Sequence, residues 1–489
     1  GTATSSKIAT IAFWFKVGVI GVDRAFFGAE GFYTGCAFLA TGQLYVVHGS
    51  AGAIVLTTTQ VFRDPTAWYH CMCVFDTTES VDTDRFKLYI NGAQVTDYTA
   101  GTFPTLNEAF TAWNTSGNTN LVADGHSTYA NYDGYLAEFH STDGTAYTPT
   151  TFGEFDDYGV WRPIEVTGVT YGNNGFYFDF ADSADLGNDV SGNDNDFTSS
   201  GLVAADQMTD TPTKNFSTLN SAQEVWTAAV TLTDGNLHGA GTAGTSTNNI
   251  TATIAVSSGK WVFASKPTAI AQLNADLFVC NDAARNTRPT SAHITAGCWT
   301  FTWQNTTLIT TYDQTSTTNR TASPAVAVGD YQLCALDVDN LAIWFGIYDA
   351  SAGTTVWTDN STGFTGDPTD GGTTKSGTLV TSEGDNFYMG ASFYTGRSGD
   401  LDFGQGALLS DITIPTGFKL VNTANIAAPT ILDGTENFQT TLYQGTGVAR
   451  TVGQQSNSYY NMYGSGDRVN IIASSGVGGA YNNASPVGI

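Results

Sequence analysis

The sequence predicts an all-β protein: two antiparallel β-sandwiches in tandem, followed by a short C-terminal extension. Three observations predict this. Aromatic residues make up 12% of the 489 residues and charged residues only 13%, so polarity comes from Thr, Ser, Asn and Gly, which with 54 glycines favour strands and tight turns. Apolar residues alternate with small polar ones in run after run, the period of a half-buried strand. No stretch carries the i,i+4 charge pairs of a long helix. A chain this long exceeds one core, and pieces of roughly 150 residues fold without staples.

The first strand, Ile8 to Val17, places Ile11, Phe13, Phe15 and Val17 on one face. Strands follow at Gln43–His48, Ala53–Leu56 and Trp68–Phe75. In the last of these, Cys71 and Cys73 stand two apart on one face, where a mutual disulfide would be strained, so they read as packed thiols. No Cys-x-x-Cys pair joins the six cysteines (36, 71, 73, 280, 298 and 334), and no zinc site is expected. Phe86–Ile90 runs into Asn91-Gly92, both of which accept positive φ, so a two-residue hairpin returns through Ala93-Gln94-Val95. Asp133–His140 closes the set, with Leu136 expected to face opposite to Ala137 and Phe139.

Taken together, Trp68, Leu88-Tyr89-Ile90-Asn91-Gly92 and Asp133-Gly134-Tyr135-Leu136-Ala137-Glu138-Phe139 resemble the laminin-G-like, concanavalin A-like sandwich family over residues 1–155. Residues 156–221 read as a connector holding one strand, Gly175–Phe180, and an acidic Asp/Asn/Gly loop. The strand pattern then restarts. Ser258-Gly259-Lys260-Trp261, the run Gly329–Gly346, and Leu401-Asp402-Phe403-Gly404-Gln405 before Pro415–Leu420 resemble the SPRY family, which implies a second sandwich over 222–430. One departure is that Val262-Phe263-Ala264-Ser265 follows Trp261 without the family's acidic residue, which weakens any transfer of ligand contacts. Residues 431–489 form an extension without an assigned fold. Trp14, Trp68, Trp261 and Trp344 lie in strands and are expected in the core.

The order of parts is similar to a bacteriophage and prophage pattern. Its strings stand here as Phe152-Gly153-Glu154-Phe155-Asp156, Asn174–Phe180, Leu186–Asn193, Asp210–Phe216 and Phe438–Gly447. That resemblance implies a virion component of tail-fibre type, exposed on the particle. Its partners would be other virion proteins and a host-surface glycan or protein, and by analogy it would be a homotrimer. Pure capsid decoration, tail joining and polysaccharide depolymerisation are the alternatives. The net charge of −27 opposes nucleic-acid and anionic-lipid partners. No apolar run reaches the ~18 residues of a membrane span, so no membrane insertion is expected. The chain begins at Gly1 without Met, so a preceding N-terminal portion is expected.

No enzymatic activity is expected. Glu138 stands alone between Ala137 and Phe139, and Glu154 with Asp156 lies in an aromatic-rich connector. The six histidines (48, 70, 126, 140, 238 and 293) have no motif context. Two binding sites are candidates. The irregular stretch from Asn107 to Asp133 offers Trp113, Asn114, His126, Tyr129, Tyr132 and Asp133 as a carbohydrate rim, against the reading that Trp113 caps the core. Asp189, Asn193, Asp194 and Asp196 offer hard oxygen ligands for calcium, against the reading that the loop folds on itself through Asx turns.

Overall fold

A computed structural model gives the architecture. It describes residues 2–488 except 30–33, 49–53, 111, 116–119, 125–128, 223–229, 243–247, 271–275, 288–294, 315, 381–385, 427–449, 456–457, 466–467 and 476–486. The chain divides into two units, Gly1–Ile426 and Ala427–Ile489.

Fifteen strands open the first unit: β1 (Ile8–Val17), β2 (Arg24–Ala29), β3 (Thr34–Phe38), β4 (Leu44–His48), β5 (Ile54–Thr58), β6 (Trp68–Asp76), β7 (Phe86–Ile90), β8 (Ala93–Val95), β9 (Tyr98–Thr102), β10 (Asn120–Val122), β11 (Ala130–Asn131), β12 (Gly134–Asp143), β13 (Gly153–Phe155), β14 (Trp161–Pro163) and β15 (Phe176–Phe178). One sheet runs β15-β12-β1-β6-β7-β8. The other runs β10-β2-β3-β4-β5-β9, with β11 alongside β2. Alternation puts Ile11, Phe13, Phe15 and Val17 of β1, Cys71, Cys73 and Phe75 of β6, and Cys36, Phe38 and Val46 of the facing sheet into one closed core. Asn91 (φ 48°) and Gly92 (φ 77°) make the two-residue turn, with Ile90 opposite Ala93. Trp161 lies against Gly92, where a Cβ would fall 2.4 Å from its ring.

β12 corrects one expectation. Ala12 pairs His140 but Trp14 pairs Ala137, so Glu138 and Phe139 together oppose the single residue Phe13. This bulge, with Glu138 at φ 51°, turns the alternation over. Phe139 enters the core on the side that Leu136 packs against, while Ala137 packs with Trp14 on the opposite face. The connector also does more than join domains: β15 pairs with β12 and lengthens the first sheet.

The second sandwich carries a nine-stranded sheet whose main path is Val230–Thr233, His238–Gly241, Ser398–Asp402, Lys260–Pro267, Tyr331–Asp337, Ala342–Asp349 and Thr354–Trp357. The facing sheet orders Asn248–Val256, Phe387–Phe393, Asp276–Asn281, Cys298–Trp303, Leu308–Asp313 and Ser316–Thr321. Between them Trp261, Phe263, Trp299, Phe301, Trp303, Phe345 and Phe403 are buried. The fold is therefore two tandem antiparallel β-sandwiches. In the second unit Arg450–Gln455, Ser458–Ser465, Arg468–Ser475 and Val487–Gly488 pair in order as an antiparallel sheet.

Trp14 and Trp68 are buried, but outside the first core. They sit on the outer face of the first sheet with Tyr135 and Trp161, and Met208 of the connector packs against them. On the same face Lys16 is fully buried, its ammonium 2.8 Å from Asp210 Oδ2 and within hydrogen-bond reach of Asn215 Oδ1 and the Phe216 carbonyl. Asp210 Oδ1 accepts from Trp68 Nε1 at 2.9 Å. Burial pushes Lys16 below the ordinary lysine range, against the opposing pull of Asp210. Two bonds join the sandwiches directly, Tyr135 OH to the Gly235 carbonyl at 2.8 Å and Asn236 Nδ2 to the Gly18 carbonyl, which also accepts from Ser221 Oγ at the end of the connector.

Candidate functional site

The stretch expected to form a rim mostly closes the end of the first sandwich. Trp113 is 1% exposed, its ring 5.0 Å from Phe27, and its Nε1 donates to Ser141 Oγ. Asn114 Nδ2 donates to the Ser5 carbonyl and to Asp143 Oδ1, a carboxylate that also accepts the backbone N–H groups of Thr4, Ser5 and Asn174. Tyr132 is half-buried against Phe26, and its hydroxyl donates to the Lys16 carbonyl. Trp113 and Asn114 are buried and brace the fold, so the expectation that they form a binding surface is replaced by a role in closing the core. A strand-closing loop over an open sandwich end must fill that end, and the large ring fills it best. His126 lies outside the described residues.

Tyr129 and Asp133 are placed differently. In β3 and β4 the residues Cys36, Phe38, Leu44 and Val46 point inward, so Ala37, Tyr45 and Val47 point away from the core. Ala25, Ala37 and Tyr45 stand in one row across β2, β3 and β4. Ala25, Ala37 and Val47 make a small-residue apolar floor on which Tyr45 and Tyr129 pack, both half-buried, their ring centroids 6.3 Å apart and tilted by 41°. Burial raises the Tyr45 phenol, and burial with the neighbouring Tyr45 and Asp23 pushes Tyr129 up to about 12. Both therefore present neutral hydroxyls near neutral pH. At the start of β2, Ala130 N–H donates to the Asp23 carbonyl, and Arg24 donates to the Asn131 carbonyl and pairs with Asp133 at 3.2 Å. Burial raises the Asp133 carboxyl in spite of Arg24.

This face therefore combines an apolar floor with two aromatic rings, while Arg24, which stands opposite the inward Phe38, and Asp133 pair at the end of the strand rather than on that floor. Two rings supply stacking area, and their phenol groups are partners that hydroxyl-rich ligands need. The sequence holds a partial signal for it, since Tyr45 alternates with the inward Leu44 and Val46. The meeting of Tyr45 with Tyr129, 84 positions apart, has no local signature.

The acidic loop does fold on itself. Asp189 is buried; its Oδ1 accepts from the N–H groups of Tyr177 and Ser191, and its Oδ2 from Ser191 Oγ and Asn195 N–H. Asp196 Oδ1 accepts the Asp189 N–H, and Asn193 Nδ2 donates to the carbonyls of Gly172 and Gly175. Asp194 sits at φ 54° and is exposed. Both Asp189 oxygens and one Asp196 oxygen are taken up by donors of the loop itself, and among the described residues Asp189, Asp194 and Asp196 form no ligating cluster, so these bonds favour the self-folded loop over the calcium expectation.

A second polar group lies beside the bulge. Tyr177 OH donates to Glu138 Oε2, His140 stacks on Tyr177 at 4.1 Å, and His140 Nδ1 meets Tyr171 OH at 2.9 Å. Burial raises the Glu138 carboxyl, offset by the Tyr177 bond. The carboxylate is thus held by a phenol beside a stacked imidazole.

Residues 2–149 match the profile of the concanavalin A-like lectin/glucanases superfamily, which covers the first sandwich and the face just described. No curated protein matches the chain. Among solved structures it is similar to the PSpry domain of TRIM65 (9% identity, TM-score 0.27, covering 38% of this chain and 90% of that one). It is also similar to the SPRY domain of human HERC1 (15%, 0.24, 35% and 91%) and to domains LG4-5 of the mouse laminin alpha1 chain (8%, 0.23, 81% and 83%).

Proposed function

We propose that the protein is a non-enzymatic component of a bacteriophage particle, a fibre or surface adhesin. In this reading the outer face of β2, β3 and β4 takes a host-surface glycan. The observation that carries the reading is the Tyr45–Tyr129 pair on its alanine floor. The lectin-superfamily match of residues 2–149 supports a sugar ligand. The phage setting rests on the resemblance of the ordered strings to a phage and prophage pattern, beside a strongly acidic composition. Association with other virion proteins and trimeric assembly belong to the same proposal.

Glycan-array binding by the full chain tests it. Tyr129→Ala and Tyr45→Ala are each expected to weaken binding by about tenfold, the equivalent of ~1.4 kcal/mol for a lost aromatic face. Tyr129→Phe retains most of the affinity. Wild-type protein that binds no surface polymer returns the protein to a purely structural role in capsid or tail. Shortening of polymer chains on incubation would establish a depolymerase instead.

A further inference from the structure

We propose that Cys36, Cys71 and Cys73 form a trithiol site in the centre of the first sandwich that captures one trivalent thiophilic ion of the arsenous type. Cys71 and Cys73 come from β6 and Cys36 from β3 in the facing sheet, so the three thiols meet across the sandwich rather than along one strand. All three are free, fully buried, and have sulfurs within 4.8 Å of one another. Thiols that only fill space need not converge. Three sulfurs held about 2.3 Å from a pyramidal centre with angles near 100° stand ~3.5 Å apart, so a pair at the 4.8 Å limit would close by roughly 1.3 Å.

The surroundings select the ligand. Among the described residues no His, Asp, Glu or fourth Cys joins the three sulfurs. Zinc, which takes four ligands in structural sites, is poorly served. The walls are Ile11, Phe13, Leu88 and other core side chains, so a complex with net charge is costly there. A trivalent centre bound by three thiolates is neutral. Arsenous acid is itself neutral and small, and the exchange balances without an oxidant. Three S–H and three As–O bonds break, three As–S bonds form, and the protons leave with the hydroxyl groups as three waters. Cys36 and Cys71 favour the Cys73 sulfur as the thiolate, against the opposing effect of burial, which makes it the first of the three to attack.

The test uses the full chain and sodium arsenite, with brief exposure to mild urea to open the core, followed by native mass spectrometry and thiol mapping. The expected result is a 1:1 adduct whose mass gain equals one arsenic less three hydrogens, with three of the six thiols protected from alkylation and mapped to 36, 71 and 73. Cys36→Ala and Cys73→Ala are expected to lose the adduct, and Cys280→Ala to keep it. Absence of an adduct on wild-type protein overturns the proposal. So does protection mapped to Cys280 and Cys298, which pair across adjacent strands and offer a dithiol alternative. Mapping on the wild-type chain decides the matter even if a variant fails to fold.

Discussion

Replacing Asp210 with alanine is expected to destabilise the first unit by about 3–5 kcal/mol, because it leaves the Lys16 ammonium buried and uncompensated. The Lys16 and Asp210 side chains are 1% and 0% exposed. Asp210 also holds Trp68 Nε1 and the Phe216 N–H, so the single change frees two further buried donors. Lys16→Ala is expected to cost a similar amount by stranding the carboxylate. The double change Lys16→Met with Asp210→Leu removes both charges and is expected to recover most of the loss. Urea unfolding of the four proteins checks the cycle. Because Lys16 lies on β1 and Asp210 in the connector, the single variants should also be cut faster by protease within residues 211–222. A loss below 1 kcal/mol in both single variants would contradict the burial described for this pair.

Acid is expected to weaken the fold well before the surface carboxylates titrate. Burial holds His70 and His140 down to about 3 and His48 to about 4, with Glu108 opposing the shift at His48. A histidine depressed in the folded state contributes fully above its unfolded value of ~6.5. Its contribution falls as pH drops, because only the unfolded chain then gains the proton. The window is therefore from about 6.5 down to the folded values. At about pH 5 each of the three contributes a loss of roughly 2 kcal/mol relative to neutral pH, roughly 6 kcal/mol together. Glu138 and Asp133 act with the opposite sign, since their folded values are raised, but their titration begins near the ordinary carboxylate range. Urea midpoints measured at about pH 7.5 and pH 5 test this. His70→Asn and His140→Gln should each flatten the profile even where they lower stability at neutral pH. A midpoint unchanged across that range would mean that these imidazoles reach water.

The strands were legible because their signal is local. Alternation in Ile8–Val17 placed four core residues, and Asn91-Gly92 fixed both the turn and its register. Phe139 was misplaced because a bulge inserts one residue, and the amino-acid types around Glu138 do not mark where the pleat slips. Lys16, between Phe15 and Val17, reads as an ordinary outward position; its partner lies 194 residues away. The same limit applied to the candidate site. Trp113 and Tyr129 sit in one irregular stretch of similar composition, yet one closes the core and the other stands on an outer face beside Tyr45. Which ring is available to a ligand is decided by the elements packed behind it, and those are distant in sequence. The acidic loop shows the converse, for its Asx-type bonds join residues two apart and are legible in the local sequence.

The Lys16–Asp210 rivet and the Gly18 carbonyl bonds have a consequence for how copies of the chain meet a surface. A hinge between the sandwiches would let every copy search independently, and each contact would then forfeit rotational freedom when it formed. A junction without slack settles that loss during folding. Under the assembly proposed above, an array of such copies would present its aromatic faces at fixed pitch, and weak single contacts would combine into steep avidity only on a target whose spacing matches the array.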